Sequence, residues 1–184
     1  MASITATPLA IDGAFALESR VIGDARGHFM RVFCDADLQD VLGGRKVVQS
    51  NVSFTATKGS VRGMHYQKAP HAEMKVVRCL SGKVFDVLVD LREGSSTFLK
   101  WVGLELHGAN AVVVPEGVAH GFQTLTDDVS MLYFHTAAYA PDAEGGVRYD
   151  DTKVGIEWPL AVAEVSERDK NHPLLVSDFK GLKL

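Results

Sequence analysis

Between residues 47 and 137, eight short β-branched or aromatic runs follow one another with turn signals between them. They are VVQSNVSF (47–54), SVRGMHYQ (60–67), MKVVRCLSG (74–82), KVFDVLVDL (83–91), TFLKWVGLEL (97–106), NAVVVPEG (110–117), HGFQTLT (120–126) and VSMLYFHTA (129–137). Repetition at roughly a dozen residues is the pattern of an all-β sandwich or barrel, whereas a parallel α/β fold would interpose long helical periods. Helix is sparse. DADLQDVLG (35–43) is expected to be helical, with Asp35 as N-cap and Gly43 as stop, and SERDK (166–170) to begin a short second helix. Gly and Pro punctuate the short apolar runs and no repeat or linker interrupts the chain, so residues 1–184 are expected to form one domain. An antiparallel barrel of about eight to ten strands leaves an interior that can hold a small ligand.

Polar residues on such strands then become informative. In VRGMHYQ (61–67), strict alternation puts Gly63, His65 and Gln67 on one face and Arg62, Met64 and Tyr66 on the other, and neither face is cleanly apolar. Lys75 and Arg78 punctuate the next run, Asp86 interrupts VFDVLVD, His120 follows VPEGVA, and Tyr133 sits in SMLYFHT. Each alone suits a solvated face or a core side chain with a satisfied hydrogen bond. Together, on successive strands, they are most economically explained by an interior that faces a ligand. Histidine and tyrosine can move a proton on and off carbon, and lysine and arginine can stabilise an enolate oxygen or hold phosphate. The same histidines also suit a metal. Gly59, His65 and Glu73, with PEGVAH (115–120), resemble the two cupin motifs, but Gln67 stands where a metal-binding cupin has its second histidine; His71 and Glu73 lie close by.

Charge and targeting signals narrow the partners. A formal net charge of −4 with both signs interspersed leaves no basic footprint for nucleic acid and no polybasic membrane patch. No run approaches the ~20 apolar residues of a membrane span, and MASITATPLAIDGAF lacks the features of a signal peptide. Cys34 and Cys79 read as two reduced, buried thiols, and a cytoplasmic protein is expected.

A wider set of segments carries a specific resemblance: GDARGHF (23–29), QSN (49–51), VRGMHYQ, KVVRCLSGKVFDVLVDLREGSSTF (75–98), VPEGVAHGFQTL (114–125), LYFHTAAYAPDAEGGVRYDD (132–151) and VSERDKNHPLL (165–175). In this order and spacing, over nearly the whole chain, they resemble the dTDP-4-dehydrorhamnose 3,5-epimerases, nucleotide-sugar epimerases of the cupin superfamily. The resemblance implies an all-β, cupin-type jelly-roll barrel with a few short flanking helices. It implies a homodimer acting on a nucleotide-diphosphate sugar, a dTDP-linked 4-keto-6-deoxyhexose, with no metal or cofactor. By the same resemblance His65 is the general base, Asp169 its carboxylate partner, Tyr133 the general acid and Lys75 the cation near the enolate oxygen. Arg26, Gln49, Asn51, Arg62, His120 and Glu144 correspond to substrate-binding positions, part of the N-terminal contribution reaching across the dimer.

The chain also departs from that pattern. Arg31 stands where the family commonly has glutamate, QSNV brings Ser50 and Val52 in place of the residues of QDNH, and YFHT brings Phe134 and His135 in place of those of YKTT. These positions surround substrate recognition, so the resemblance speaks more directly to reaction type than to the sugar, and a 3-epimerase, an epimerase of another nucleotide's keto-sugar, a non-catalytic sugar-binding cupin and a metal-dependent cupin enzyme are the competing readings.

Overall fold

The structure, a computed structural model, describes residues 3–184. The strands in chain order are β1 (Ile4–Pro8), β2 (Phe15–Ser19), β3 (Val21–Asp24), β4 (Gly27–Met30), β5 (Gln49–Thr55), β6 (Val61–Gln67), β7 (Lys75–Ser81), β8 (Val84–Asp90), β9 (Trp101–Leu106), β10 (Asn110–Val114), β11 (Val118–Thr124), β12 (Val129–His135) and β13 (Glu144–Gly146). Two antiparallel sheets form a jelly-roll barrel, one ordered β1-β2-β10-β7-β12-β5 and the other β13-β6-β11-β8-β9. Neighbours within a sheet are mostly distant in sequence, so each wall of the interior is assembled from several parts of the chain.

The runs are apolar almost throughout because both faces of these strands are covered. Inward residues Val77, Cys79, Leu88, Val112, Phe122 and Met131 form the core between the sheets. On the outer face of the six-stranded sheet, Leu17, Val76 and Val113 pack under Leu38 and Leu42. On the outer face of the other sheet, Met64, Val87, Val89 and Ala119 meet Trp158, Leu175 and Phe179 from the C-terminal segments. Burying an aliphatic side chain in this way contributes about 1.5–3 kcal/mol.

Inside the barrel the lining changes from apolar to polar along the strands. On β12, Val129 and Met131 are buried in the core, and the next inward positions are Tyr133 and His135. Antiparallel pairing sets His135 opposite Lys75 on β7, which reaches its polar end at the same level.

Several local expectations are corrected. The helix α1 spans only Asp35–Leu38 and its N-cap position is Cys34 rather than Asp35, whose carboxylate instead accepts from Lys46 at 2.7 Å. The chain turns on through Gly43 and Gly44, both at positive φ, so Gly43 does mark a stop but of a turn rather than of a nine-residue helix. Residues 97–100 form a turn before β9, with Leu99 at φ 60°. Cys34 is only partly buried, whereas Cys79 is fully so, and both are free thiols. Arg78 faces outward from β7; its guanidinium donates to Ala109 O and Ser19 Oγ, each at 2.8 Å, and pins the 108–110 turn. The strands before residue 31 are too short and polar-laced to register as strands, yet β1 and β2 extend a sheet while β3 and β4 form an exposed hairpin. The second helix, α2 (Glu167–Lys170), is capped by Ser166 Oγ, which accepts from Asp169 N at 3.1 Å.

Candidate active site

The polar end of the barrel is a cavity of about 980 Å³, lined from the β6 sheet by Arg62, His65, Gln67 and His120 and from the β7–β12 sheet by Asn51, Lys75, Tyr133 and His135. That Arg62 and His65 share it overturns the alternation expected for VRGMHYQ. Pairing runs His120↔His65 and then Phe122↔Arg62, so three steps on β6 match two on β11: a bulge of one residue at Gly63 and Met64. The bulge turns Met64 outward, into full burial under the C-terminal segments, and returns Arg62 to the side of His65. Gly63 permits it. A Cβ there would stand 2.5 Å from Gly121 Cα, and its φ of +133° disfavours any other residue.

The bulge also frees the Gly63 N–H, which donates to Asp169 Oδ2 at 3.1 Å, while His65 Nε2 meets Asp169 Oδ1 at 2.7 Å. Because the carboxylate only accepts, Nε2 carries the proton and Nδ1 keeps a free lone pair. Asp169 is 2% exposed; burial works against its charge, but the bonds from His65 and Gly63 and the nearby Arg168 win and bring its pKa down to about 2. Arg168 reaches the same edge, with Nη1 on Glu144 Oε1 at 3.0 Å and Nη2 3.2 Å from His65 Nε2.

On the opposite wall Tyr133 Oη lies 3.2 Å from Ser53 Oγ, and burial pushes the phenol up to about 12, so it holds its proton at neutral pH. On the β6 wall, His120 Nε2 donates to Asp86 Oδ2 at 2.8 Å; Asp86 is completely buried, and that burial raises its pKa against the pull of His120. Lys75 Nζ is 3.1 Å from Glu73 Oε1, and Glu73 Oε2 accepts from His135 Nδ1 at 2.8 Å. The pKa of Glu73 is lowered: burial opposes its charge, and the hydrogen bond from His135 and the charge of Lys75 outweigh it. His135 Nε2 continues the chain to Asn51 Nδ2 at 3.3 Å.

Of the ten residues proposed from sequence, His65, Tyr133, Asp169, Lys75, Asn51, Arg62, His120 and Glu144 line this cavity. Arg26 does not. It sits on the β3–β4 hairpin with its side chain 90% exposed and paired to Asp24. Gln49 is also absent from the lining; its Oε1 accepts from Tyr139 N at 3.0 Å and so sets the loop that bears Tyr139. Sequence reasoning gave no role to Arg168 or Tyr139, and it weighed Glu73 only for a metal site and His135 only as a departure near substrate recognition, not as a pair. His135 was reachable, standing two residues from Tyr133 on the same face of one strand. Arg168 was not, since its place beside His65 depends on how α2 docks against β6.

Gln67 does not stand ready as a ligand. Its amide donates to His71 O and Ala138 O, and its Oε1 accepts from Ala140 N at 2.7 Å, so the side chain is spent on holding the 138–140 loop. Of the departures, Val52 and His135 line the cavity, Phe134 points outward and packs on Phe33 with ring centroids 4.9 Å apart, and Arg31 lies away from it near Asp37.

Comparison with known proteins places this geometry in context. A sequence model of the family described as dTDP-4-dehydrorhamnose 3,5-epimerase matches residues 8–177. The dTDP-4-dehydrorhamnose 3,5-epimerase of Salmonella typhimurium is 42% identical over 171 residues, covering 90% of this chain and 92% of that protein. Among solved structures, the dTDP-4-dehydrorhamnose 3,5-epimerase of Bacillus anthracis with TDP and PPi bound is similar at a TM-score of 0.89 and 35% identity, covering 94% of this chain and 99% of that one. A 3'-monoepimerase from Streptomyces bikiniensis in complex with dTDP-quinovose is similar at a TM-score of 0.84 and 34% identity, covering 90% and 85%.

Proposed function

This chain belongs to the dTDP-4-dehydrorhamnose 3,5-epimerase family and is an isomerase-class enzyme, an epimerase of dTDP-linked sugars, and from that premise we propose that it inverts C3 and C5 of a dTDP-linked 4-keto-6-deoxyhexose in rhamnose-type deoxysugar formation. Both carbons flank the C4 ketone, so loss of either proton gives an enolate, and the step exchanges protons only. His65 takes the proton on Nδ1, and Asp169 fixes the tautomer and stabilises the imidazolium that forms. Lys75 faces the enolate oxygen, its charge shared with Glu73. Tyr133 then returns a proton from the other wall. Arg62, His120, Asn51 and Glu144 bind the substrate around these groups.

The observation that carries this reading is the placement of a carboxylate-backed imidazole on one sheet and a protonated phenol on the other, lining one cavity. Inversion needs removal and return of the proton on opposite faces, which one group on one wall cannot do. The cavity is also within the size range of small-molecule and cofactor sites.

Residues 1–184 act as one domain in this reading, within the cytoplasm, and two chains form a homodimer. Support for the dimer comes from the β3–β4 hairpin, where Phe29 is 70% exposed and Ile22 58% exposed beside Arg26. Such an apolar pair, below the polar tip that carries Arg26, is expected to pack on a partner and to bring Arg26 to the partner's cavity, with Gln49 acting through the Tyr139 loop. A 3-epimerase is the second reading, favoured by the similarity to the S. bikiniensis 3'-monoepimerase. Incubation with a dTDP-linked 4-keto-6-deoxyglucose in deuterium oxide, followed by NMR, separates them: deuterium at C3 and C5 is expected, deuterium at C3 alone supports the second reading, and none refutes both.

A further inference from the structure

Behind the His65–Asp169 pair lies a third group that the proposed reaction does not use. His172 is not part of the cavity lining; its ring packs against Gly146, where a Cβ would overlap the imidazole. Its Nε2 lies 3.7 Å from Asp169 Oδ1, on a side chain only 14% exposed. That nitrogen is buried with no hydrogen-bond partner. Buried polar atoms are rarely left so, and an orphan of this kind points to a missing ligand.

We propose that His65, Asp169 and His172 form a binding site for a divalent transition metal of the Zn²⁺ type, and that its occupation switches the base off. Among the described residues these three bring together one imidazole nitrogen, one carboxylate oxygen and a second imidazole nitrogen, all within 4.8 Å of one another. Ligand atoms around a tetrahedral zinc stand about 3.3 Å apart. The separations of 2.7 Å from His65 to Asp169 and 3.7 Å from His172 to Asp169 lie on either side of that value, and the third, between the two imidazoles, is within 4.8 Å, so the metal would draw the two rings together. Two imidazoles and a carboxylate suit zinc, cobalt or iron(II). Asp169 Oδ2 is held by the Gly63 N–H, which supports the coordinating oxygen from behind. Arg168 is the opposing group. Its Nη2 lies 3.2 Å from His65 Nε2, and a side chain 56% exposed can withdraw along Glu144.

The effect on the base follows from proton bookkeeping on one ring. Without metal, Nε2 carries the hydrogen and Nδ1 the lone pair. With metal on Nε2, a neutral imidazole carries its hydrogen on Nδ1, and no lone pair remains to accept a proton from carbon. The ring neither gains nor loses a proton; the base is lost by tautomer alone. The site stands on its own geometry, and only the inhibition rests on the epimerase reading.

Chelator-treated protein titrated with CoCl₂ and followed by visible absorption, and with ZnCl₂ followed by calorimetry, tests the site. Saturable binding of one metal per chain is expected, with loss of that binding in His172→Asn and tighter binding in Arg168→Ser. In ¹⁵N NMR of the wild-type imidazoles, zinc should shift His65 and His172 together. Zinc should stop deuterium exchange by the wild type and leave the metal-free and zinc-treated His172→Asn protein equally active. Absence of saturable binding, undiminished binding in His172→Asn, or unmoved His65 and His172 resonances would overturn the proposal. If the metal binds through His172 while the metal-free protein exchanges no proton with any dTDP-linked keto-sugar, the epimerase reading falls and the site stands.

Discussion

Replacing Asp169 by Asn removes one charge and nearly no volume, which makes it the sharpest probe of the proposed base. Asp169 accepts from two donors, Gly63 N–H on one oxygen and His65 Nε2–H on the other. An asparagine has one oxygen, and the backbone N–H is a donor that cannot change its role. The amide oxygen therefore turns to Gly63, and its NH₂ faces His65 Nε2. That ring must then place its hydrogen on Nδ1, and the lone pair is lost to the substrate. Charge adds to this. A carboxylate moved from its ordinary value of 3.8 to about 2 interacts with its surroundings by about 2 kcal/mol. His65 supplies only part of that, beside the Gly63 N–H and Arg168, so losing the support for the imidazolium costs at most roughly 30-fold, and with the wrong tautomer the expected fall in kcat is about 10³–10⁴-fold. Deuterium exchange at C3 and C5 measures it, with KM little changed. The stability consequence has a definite sign. The folded pKa lies below the unfolded one, so the stabilisation is present above about pH 4 and is lost as pH falls through about 2. Urea unfolding of wild type and Asp169→Asn should therefore differ most at neutral pH and converge only below about pH 2. A variant that keeps a tenth of wild-type exchange, or a stability gap that widens on acidification, would refute the reasoning.

Other substitutions separate the remaining roles. Tyr133→Phe should leave deprotonation, seen as deuterium wash-in with retained configuration, while net inversion falls by roughly 10²-fold; equal loss of both would contradict a division of labour between the walls. Lys75→Met should leave Glu73 bound only to His135 and lower kcat about 10²–10³-fold; an effect on KM alone would remove Lys75 from the enolate. Gly63→Ala, with a Cβ forced against Gly121, should cost about 2–4 kcal/mol in urea unfolding, whereas a cost below about 1 kcal/mol would mean that the bulge is not constrained by the close approach of β11. Phe29→Asp on the exposed hairpin should give a monomer in sedimentation velocity with reduced exchange activity, and an intact dimer would move the interface elsewhere.

The strand-rich centre was legible because its residues answer to local rules. Runs such as VFDVLVD, buried on both faces, have few other structures open to them, and the turns between them announce themselves by Gly and Pro. The N-terminal strands were not legible in this way, since β1 and β2 owe their strand state to pairing with a sheet built by residues some sixty to a hundred positions later. Eight of the ten candidate site residues, which the structure gathers around one cavity, were likewise identifiable from their motifs. Their arrangement was not.

What the amino-acid order determined by itself is the class of fold and the kind of chemistry: an all-β barrel with histidine, tyrosine, lysine and arginine on strands that should otherwise be apolar. Only the tertiary structure decided which of them meet. The one-residue bulge set Arg62 and His65 on the same side, α2 brought Asp169 across more than a hundred residues to His65 Nε2, and His172 came to rest against Gly146 with a nitrogen unpartnered. The physical reason is that side-chain alternation is a property of a strand, readable from its own sequence. Register, bulges and the docking of distant segments depend on contacts between strands, and those form only when the whole barrel closes.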